Sequence, residues 1–203
     1  MMAIDEYKTI SSVENILYKD KSSKFIGYAY PILNEFEVST KLNDLRKIHP
    51  KATHHCFAYR LGIDKNNFRA NDDGEPNGTA GKPILGQLDS FGITNCLVVV
   101  VRYFGGTKLG VSGLIEAYKE TAKQTLDAAT IITHRILDYY EIQCSYAQIN
   151  SIYRLVQFVK GHIVNSILDN NSIFIIAIPQ ATTTTFETFL TEEQIQYKFV
   201  ERK

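Results

Sequence analysis

The stretch VVVVRYFGGTKLGVSGLIEAYKE, residues 98–120, constrains the fold more than any other part of the chain. Its valine run leaves no polar position to face water, so NCLVVVVRYF reads as a strand buried on both faces inside a layered domain. The strand stops on Arg102 and passes through Gly105, Gly106, Gly110 and Gly113 before a helical pattern takes over. That pattern is the apolar stripe of Leu114, Ala117, Tyr118, Thr121, Ala122, Thr125, Leu126 and Ala129. Glycines concentrated in this way mean either that something approaches the backbone closely or that the turn needs positive φ. Whether a ligand or another segment approaches is the functional question.

The flanking segments complete a first α+β domain. ENILYKDKSSKFIGYAYPI reads as two strands around a polar turn. NEFEVSTKLNDLRKIHP reads as a helix with Phe36, Leu42, Leu45 and Ile48 on its apolar side, ended by Pro50. HHCFAYRLG alternates as a strand does, with NNFRAND as its partner, and PILGQLDSFG is a short helix with Pro83 in its first turn and Gly92 at its end. Between them DDGEPNGTAGKP is too rich in glycine and proline for helix or strand.

The character changes near ATIITHR. ILDYYEIQCSY, AQINSIYRLVQFVKG, HIVNSILD, NSIFIIAIP, ATTTTFETFLTEE and IQYKFVE read in order as strand, helix, strand, strand, helix, strand, with DNN turning between the middle strands. This βαββαβ order is the ferredoxin-like signature. The expected architecture is two α+β domains, residues 1–134 and 135–203.

Composition limits the functions available. Lys plus Arg and Asp plus Glu both total 22, so any nucleic-acid site has to be a local patch. Three cysteines, Cys56, Cys96 and Cys144, an odd count without a CxxC pair, argue against a disulfide framework or a structural zinc site and fit a reducing cytoplasm. The start MMAIDEYKTISS lacks the apolar core of a signal peptide, and no stretch approaches the roughly 18–20 apolar residues of a membrane span. No membrane, metal or cofactor is expected.

The candidate chemistry lies in the two glycine-rich loops. GTAGK at residues 78–82 does not make a P-loop, because Pro76 and Pro83 stand where that motif needs glycine and a hydroxyl. GGTKLG does not have the dinucleotide spacing either. What survives is a strand end, a glycine turn and a helix start, an arrangement that accepts anions. It makes Lys82, Arg102, Tyr103, Gly105, Gly106, Lys108, Gly110 and Ser112 the candidates for phosphate or ligand binding. Asp72, Asp73 and Glu75 either cap a neighbouring turn, touch a ligand or hold a divalent cation, although calcium-loop spacing is absent. Arg102 has a structural alternative, an ion pair with one of these three. His54 and His55 are secondary candidates; on a strand His54 shares a face with Cys56 and His55 takes the other. Cys56 reads as a buried structural thiol or a nucleophile. No catalytic residue is assigned, and no RNP-like run accompanies the aromatic residues.

Taken together, HHCFAYRLG, NDDGEPNGTAGKPIL and VVVVRYFGGTKLGVSGLIEAY strongly resemble the IMPACT-like family, in particular its bacterial two-domain members of the YigZ type. Residues 15–130 resemble the family's N-terminal domain and residues 135–203 the added C-terminal one. The resemblance implies a fold like domain 2 of ribosomal protein S5 followed by a ferredoxin-like domain, a pair similar to the last two domains of elongation factor G. It also implies a link to translation. Eukaryotic relatives damp a starvation-responsive kinase pathway by binding that pathway's activator protein and carry an additional protein-binding domain, so that role is not expected to transfer, and the family supplies no catalytic residues. The expectation is a cytoplasmic translation-associated regulator binding RNA or ribosomal components through its glycine loops. The alternative is an enzyme acting on a phosphorylated or carboxylated small molecule held between the loops.

Overall fold

In the computed structural model, which describes residues 6–169 and 171–203, β1 (Glu6–Ile10) is followed by a hairpin of β2 (Val13–Asp20) and β3 (Ser23–Pro31). Lys21 and Ser22 join the hairpin with φ of 41° and 67°, the mirror-image turn whose twist matches paired antiparallel strands. Then come α1 (Glu35–Ile48), β4 (His54–Leu61), β5 (Asn67–Asn71), α2 (Gly81–Phe91), β6 (Cys96–Tyr103), α3 (Gly110–Asp127) and β7 (Ile131–Arg135). β1 and β7 pair with each other as a two-stranded sheet. The chain divides into two compact units within these strands: residues 8–133 form one, and His134–Lys203 with Glu6 and Tyr7 the other.

The five-stranded sheet of the first unit runs β2-β3-β6-β4-β5 with every neighbouring pair antiparallel. β6 is central and buried from Cys96 to Arg102. Its alternation builds two cores. Val98 and Val100 face α2 and α3 through Ile84, Leu88, Leu114, Tyr118 and Ala122. Leu97, Val99 and Val101 face α1 through Val38, Leu42 and Leu45. Burial on both faces therefore arises here in an antiparallel sheet covered by helices on both sides.

On α1 the buried stripe is Val38, Leu42 and Leu45, while Phe36 and Ile48, read from the sequence as part of it, are 80% and 64% exposed. Steps of four and three from Val38 keep one face; Phe36 lies on the far side of the turn. The helix starts where Asn34 accepts a hydrogen bond from the Glu37 backbone N–H at 2.9 Å. α2 begins at Gly81, two residues before Pro83, and ends on Gly92 in the left-handed conformation.

The second unit contains β8 (Leu137–Ser145), α4 (Ile149–Phe158), β9 (His162–Ile167), β10 (Asn171–Pro179), α5 (Thr183–Glu192) and β11 (Gln196–Arg202). Its sheet order β11-β8-β10-β9, all antiparallel, is the ferredoxin-like arrangement. Tyr140, Ile142, Phe174 and Ile176 meet Ile152, Val156, Phe186 and Leu190 in its core. The expected DNN turn includes Asn170, which lies outside the described residues, as does the start of MMAIDEYKTISS up to Asp5. Among the described residues no helix is long and apolar enough to cross a membrane.

Asp138, fully buried at the start of β8, locks this unit. It accepts from Arg202 Nε at 2.5 Å, Arg202 Nη2 at 2.9 Å and Thr183 Oγ1 at 2.5 Å, tying β8 to the start of α5 and the end of β11. Burial alone raises the pKa of this carboxyl, but the hydrogen bonds and charge of Arg202 and the Thr183 hydroxyl outweigh it and hold the group below the ordinary carboxylate range. The network therefore contributes stability above the ordinary value and loses it as pH falls through the folded one. Arg202→Ala should cost about 1–3 kcal/mol at neutral pH by leaving a buried carboxylate under-partnered and should flatten the acid-side loss. Urea unfolding followed from pH 7 to pH 3 checks both effects.

Candidate functional site

Strand register creates the centre of the site. Phe25 on β3 and His54 on β4 stand directly opposite Arg102 on β6, so the three form one row on the face toward α2 and α3. Arg102 is 5% exposed. Its Nη1 donates to Glu75 Oε1 at 2.6 Å and its Nη2 lies 3.4 Å from Ser23 Oγ. The guanidinium carbon is 5.3 Å from the Phe25 ring centre and 5.6 Å from that of Phe104. Its Nε has no hydrogen-bond partner among the described residues. Of the possible ion pairs with Asp72, Asp73 and Glu75, the pair present is Arg102 with Glu75.

Glu75 is held from several directions. The Tyr118 hydroxyl on α3 donates to the same Oε1 at 2.8 Å, and His54 Nε2 lies 3.8 Å away. His54 Nδ1 is 2.7 Å from the Asp73 carbonyl, which can only accept, so this nitrogen carries a proton. Cys56 Sγ sits 3.0 Å from the Asp72 carbonyl and 3.3 Å from the Tyr118 hydroxyl. Burial pushes the Cys56 thiol and the Tyr118 phenol well above their ordinary values, so neither supplies a nucleophile or base at neutral pH. Tyr118 and Ser23, with the Phe25 and Phe104 rings, are members that the sequence reading missed. Tyr118 was legible only as part of an apolar helix stripe; the signal available was its hydroxyl, which needs a partner when buried.

The carboxylates beside Glu75 hold the loop. Asp72 accepts from the backbone N–H groups of Gly78, Ala80 and Gly81 at 2.8–2.9 Å, capping the start of α2 from outside the helix. Burial works against its ionisation, yet the three N–H bonds and the charge of Lys82 prevail and lower its pKa. Asp73 accepts from the His55 backbone N–H at 2.6 Å. Among the described residues no group of three or more His, Cys, Asp and Glu side chains is placed to hold a metal ion.

The opening question about the glycines has a structural answer at Gly105. A Cβ there would lie 2.1 Å from the carbonyl carbon and oxygen of Ser22. The backbone that comes close is thus the β2–β3 hairpin turn, and the Gly105 N–H lies 3.3 Å from Ser23 Oγ. Gly106 and Gly110 have φ of 88° and 80°, the left-handed region. This turn delivers the chain into α3, whose first turn has no side-chain cap. Beside it opens a cleft of about 380 Å³ lined by Glu75, Pro76, Arg102, Phe104, Leu114 and the Lys108–Val111 turn.

The structure divides the remaining candidates. Lys108 and Gly110 are at the cleft, whereas Lys82 and Ser112 are exposed outside its lining. Tyr103 follows Arg102 and therefore takes the other face, where it packs toward α1. There Tyr28 donates to Asn15 Oδ1 at 2.7 Å and accepts from His49 Nε2 at 2.6 Å, leaving His49 Nδ1 to accept from Tyr103 at 2.9 Å. His55 faces the same side, and burial foremost lowers its pKa against the pull of Asp73.

Comparison with known proteins identifies the family of the chain. The model of the Impact N-terminal domain family matches residues 21–126, which include both glycine loops and Tyr118. The IMPACT family member YigZ of Escherichia coli is 38% identical over 153 residues, covering 74% of this chain and 75% of its own. The chain belongs to the IMPACT family. The IMPACT family member YvyE of Bacillus subtilis is 33% identical over 175 residues, 85% of this chain and 79% of its own. A crystal structure described as that of a hypothetical protein superposes with a TM-score of 0.72 at 32% identity, over 98% of this chain and 99% of that one. The two-unit architecture thus extends along the whole of a solved relative of this IMPACT chain.

Three variants test how the IMPACT motifs hold the turn. Arg102→Ala leaves Glu75 as a buried charge without its cation and should cost about 3–5 kcal/mol, whereas Arg102→Met combined with Glu75→Leu should recover most of that loss. Gly105→Ala forces backbone apart from backbone and should cost about 1–3 kcal/mol. Urea midpoints of the four proteins decide both; an Arg102→Ala protein within about 1 kcal/mol of the parent would show that the pair does not hold the site.

Proposed function

We propose that this IMPACT-family chain is a cytoplasmic, translation-associated regulatory protein that acts by binding, and that its partner is RNA or a ribosomal component held by phosphate at the Arg102–Lys108 turn. The link to translation comes with the family resemblance. The observation that supports binding at this turn is the cleft itself: Arg102 and Lys108 line it together with the uncapped start of an 18-residue helix. The positive end of such a helix and the Lys108 cation favour an anion, with Arg102 supplying hydrogen-bond donors. The enzymatic alternative finds less support, because Asp72 caps α2, Asp73 holds β4 and Glu75 is paired with Arg102. None of the three stands ready as an acid or base.

The test is retention of the purified protein on total RNA and on ribosomes at about 50 and 200 mM salt. Lys108→Ala and Lys108→Glu are the informative variants: Lys108 is exposed, whereas Arg102 is buried in an ion pair with Glu75. Retention should weaken steeply with salt, and loss of one contact to a single strand should lower the log-log slope by about 0.7. Absence of retention at both salt concentrations overturns the reading.

A further inference from the structure

We propose that the cleft takes a single nucleotide, its phosphate at Arg102, Lys108 and the start of α3, and its base against Phe104 and Val111. The inference rests on the phosphate-binding reading above and names the ligand class.

The lining of the cleft is of two chemical kinds, polar and apolar, with the Arg102 guanidinium carbon 5.6 Å from the Phe104 ring centre. Arg102 is 5% exposed and its Nε has no partner among the described residues. An unpaired donor at that depth costs free energy, which an incoming acceptor would recover. Lys108 forms no ion pair among the described residues, and the N–H groups of the first α3 turn have no partner within the helix. Glu75, the only carboxylate lining the cleft, has a side chain 4% exposed, and its Oε1 takes both Arg102 and Tyr118. Its charge is therefore neutralised by the arginine beneath the cleft, leaving Lys108 and the helix end to set the local sign.

The remaining lining is apolar. Phe104 is 47% and Val111 60% exposed, with Pro76, Leu109 and Leu114 completing the lining. A phosphate alone would leave this surface wet. An aromatic ring beside a cationic pocket suits a base attached to a phosphate, since bases stack on exposed aromatic side chains. About 380 Å³ is at the small end of ligand sites, roughly 300–1,000 Å³, sufficient for one nucleotide and too small for a duplex. The nucleotide can be free or the terminal residue of an RNA strand; the recognised chemistry is the same.

Calorimetric titration with inorganic phosphate, a nucleoside, the corresponding nucleoside monophosphate, and a short single-stranded RNA with and without a terminal phosphate tests the proposal. The monophosphate should bind at least about tenfold more tightly than either phosphate or nucleoside. Phe104→Ala should weaken the monophosphate about fivefold or more without changing binding of inorganic phosphate, and Lys108→Ala should weaken both. Both side chains are exposed, and circular dichroism of each variant verifies the fold. RNA preferred with its terminal phosphate identifies a strand end as the source; monophosphate binding that RNA does not displace identifies a free nucleotide. Equal binding of phosphate and monophosphate, an unchanged Phe104→Ala protein, or no binding of any of these ligands overturns the proposal. Salt-dependent retention on RNA with no such monophosphate preference would overturn the nucleotide cleft while leaving the RNA reading intact.

Discussion

A buried arginine needs a reason to be where it is, because taking its charge out of water costs several kcal/mol unless a carboxylate and further hydrogen bonds meet it. Arg102 has these partners in Glu75 and Ser23, and Glu75 has a second donor in Tyr118. The pair therefore joins four segments that are remote in sequence: the end of β6, the loop before α2, the β2–β3 hairpin and the middle of α3. Everything that shapes the cleft hangs from this contact. Removing Arg102 would leave the Glu75 carboxylate buried with the Tyr118 hydroxyl as its remaining donor and would take the end of β6 and the hairpin out of the contact.

Around that pair, the same polar residues serve structure and site together. Asp72 satisfies three backbone donors at the start of α2, which a glycine-rich, proline-containing segment cannot satisfy by regular pairing. With the loop anchored in this way, Glu75 reaches Arg102. On the opposite side of the sheet, Tyr28, His49 and Tyr103 form a separate chain of hydrogen bonds under α1. The two sets are kept apart by strand alternation alone, since Arg102 and Tyr103 are adjacent in sequence and on opposite faces.

Much of this was legible in the residues. The valine run required a sheet covered on both faces, the apolar stripe from Leu114 to Leu126 became the buried face of α3, and the order of elements in the last third led to the ferredoxin-like sheet. Arg102, Lys108 and Gly110 were chosen from the glycine turn and line the cleft. Other features were hidden for definite reasons. The true stripe of α1 includes Val38 in place of Phe36, because mixed spacings of three and four fit more than one face until the sheet chooses. Ser23 and Tyr118 join the Arg102 cluster only through long-range packing, and Lys82 and Ser112, in or beside the two glycine-rich loops, lie outside the cleft lining.

By itself the sequence determined local character: which stretches are strand or helix, where glycine and proline break them, and which faces are apolar. These depend on propensity and periodicity, which act over a few residues. Tertiary structure decided what the glycines and charges are for. The segment that approaches Gly105 is a hairpin turn more than eighty positions earlier in the chain, and the carboxylate that meets Arg102 is chosen among three neighbours by cross-strand register and by the cap that Asp72 provides. Such choices are made by long-range packing, where one partner excludes another, and no short window of sequence contains both.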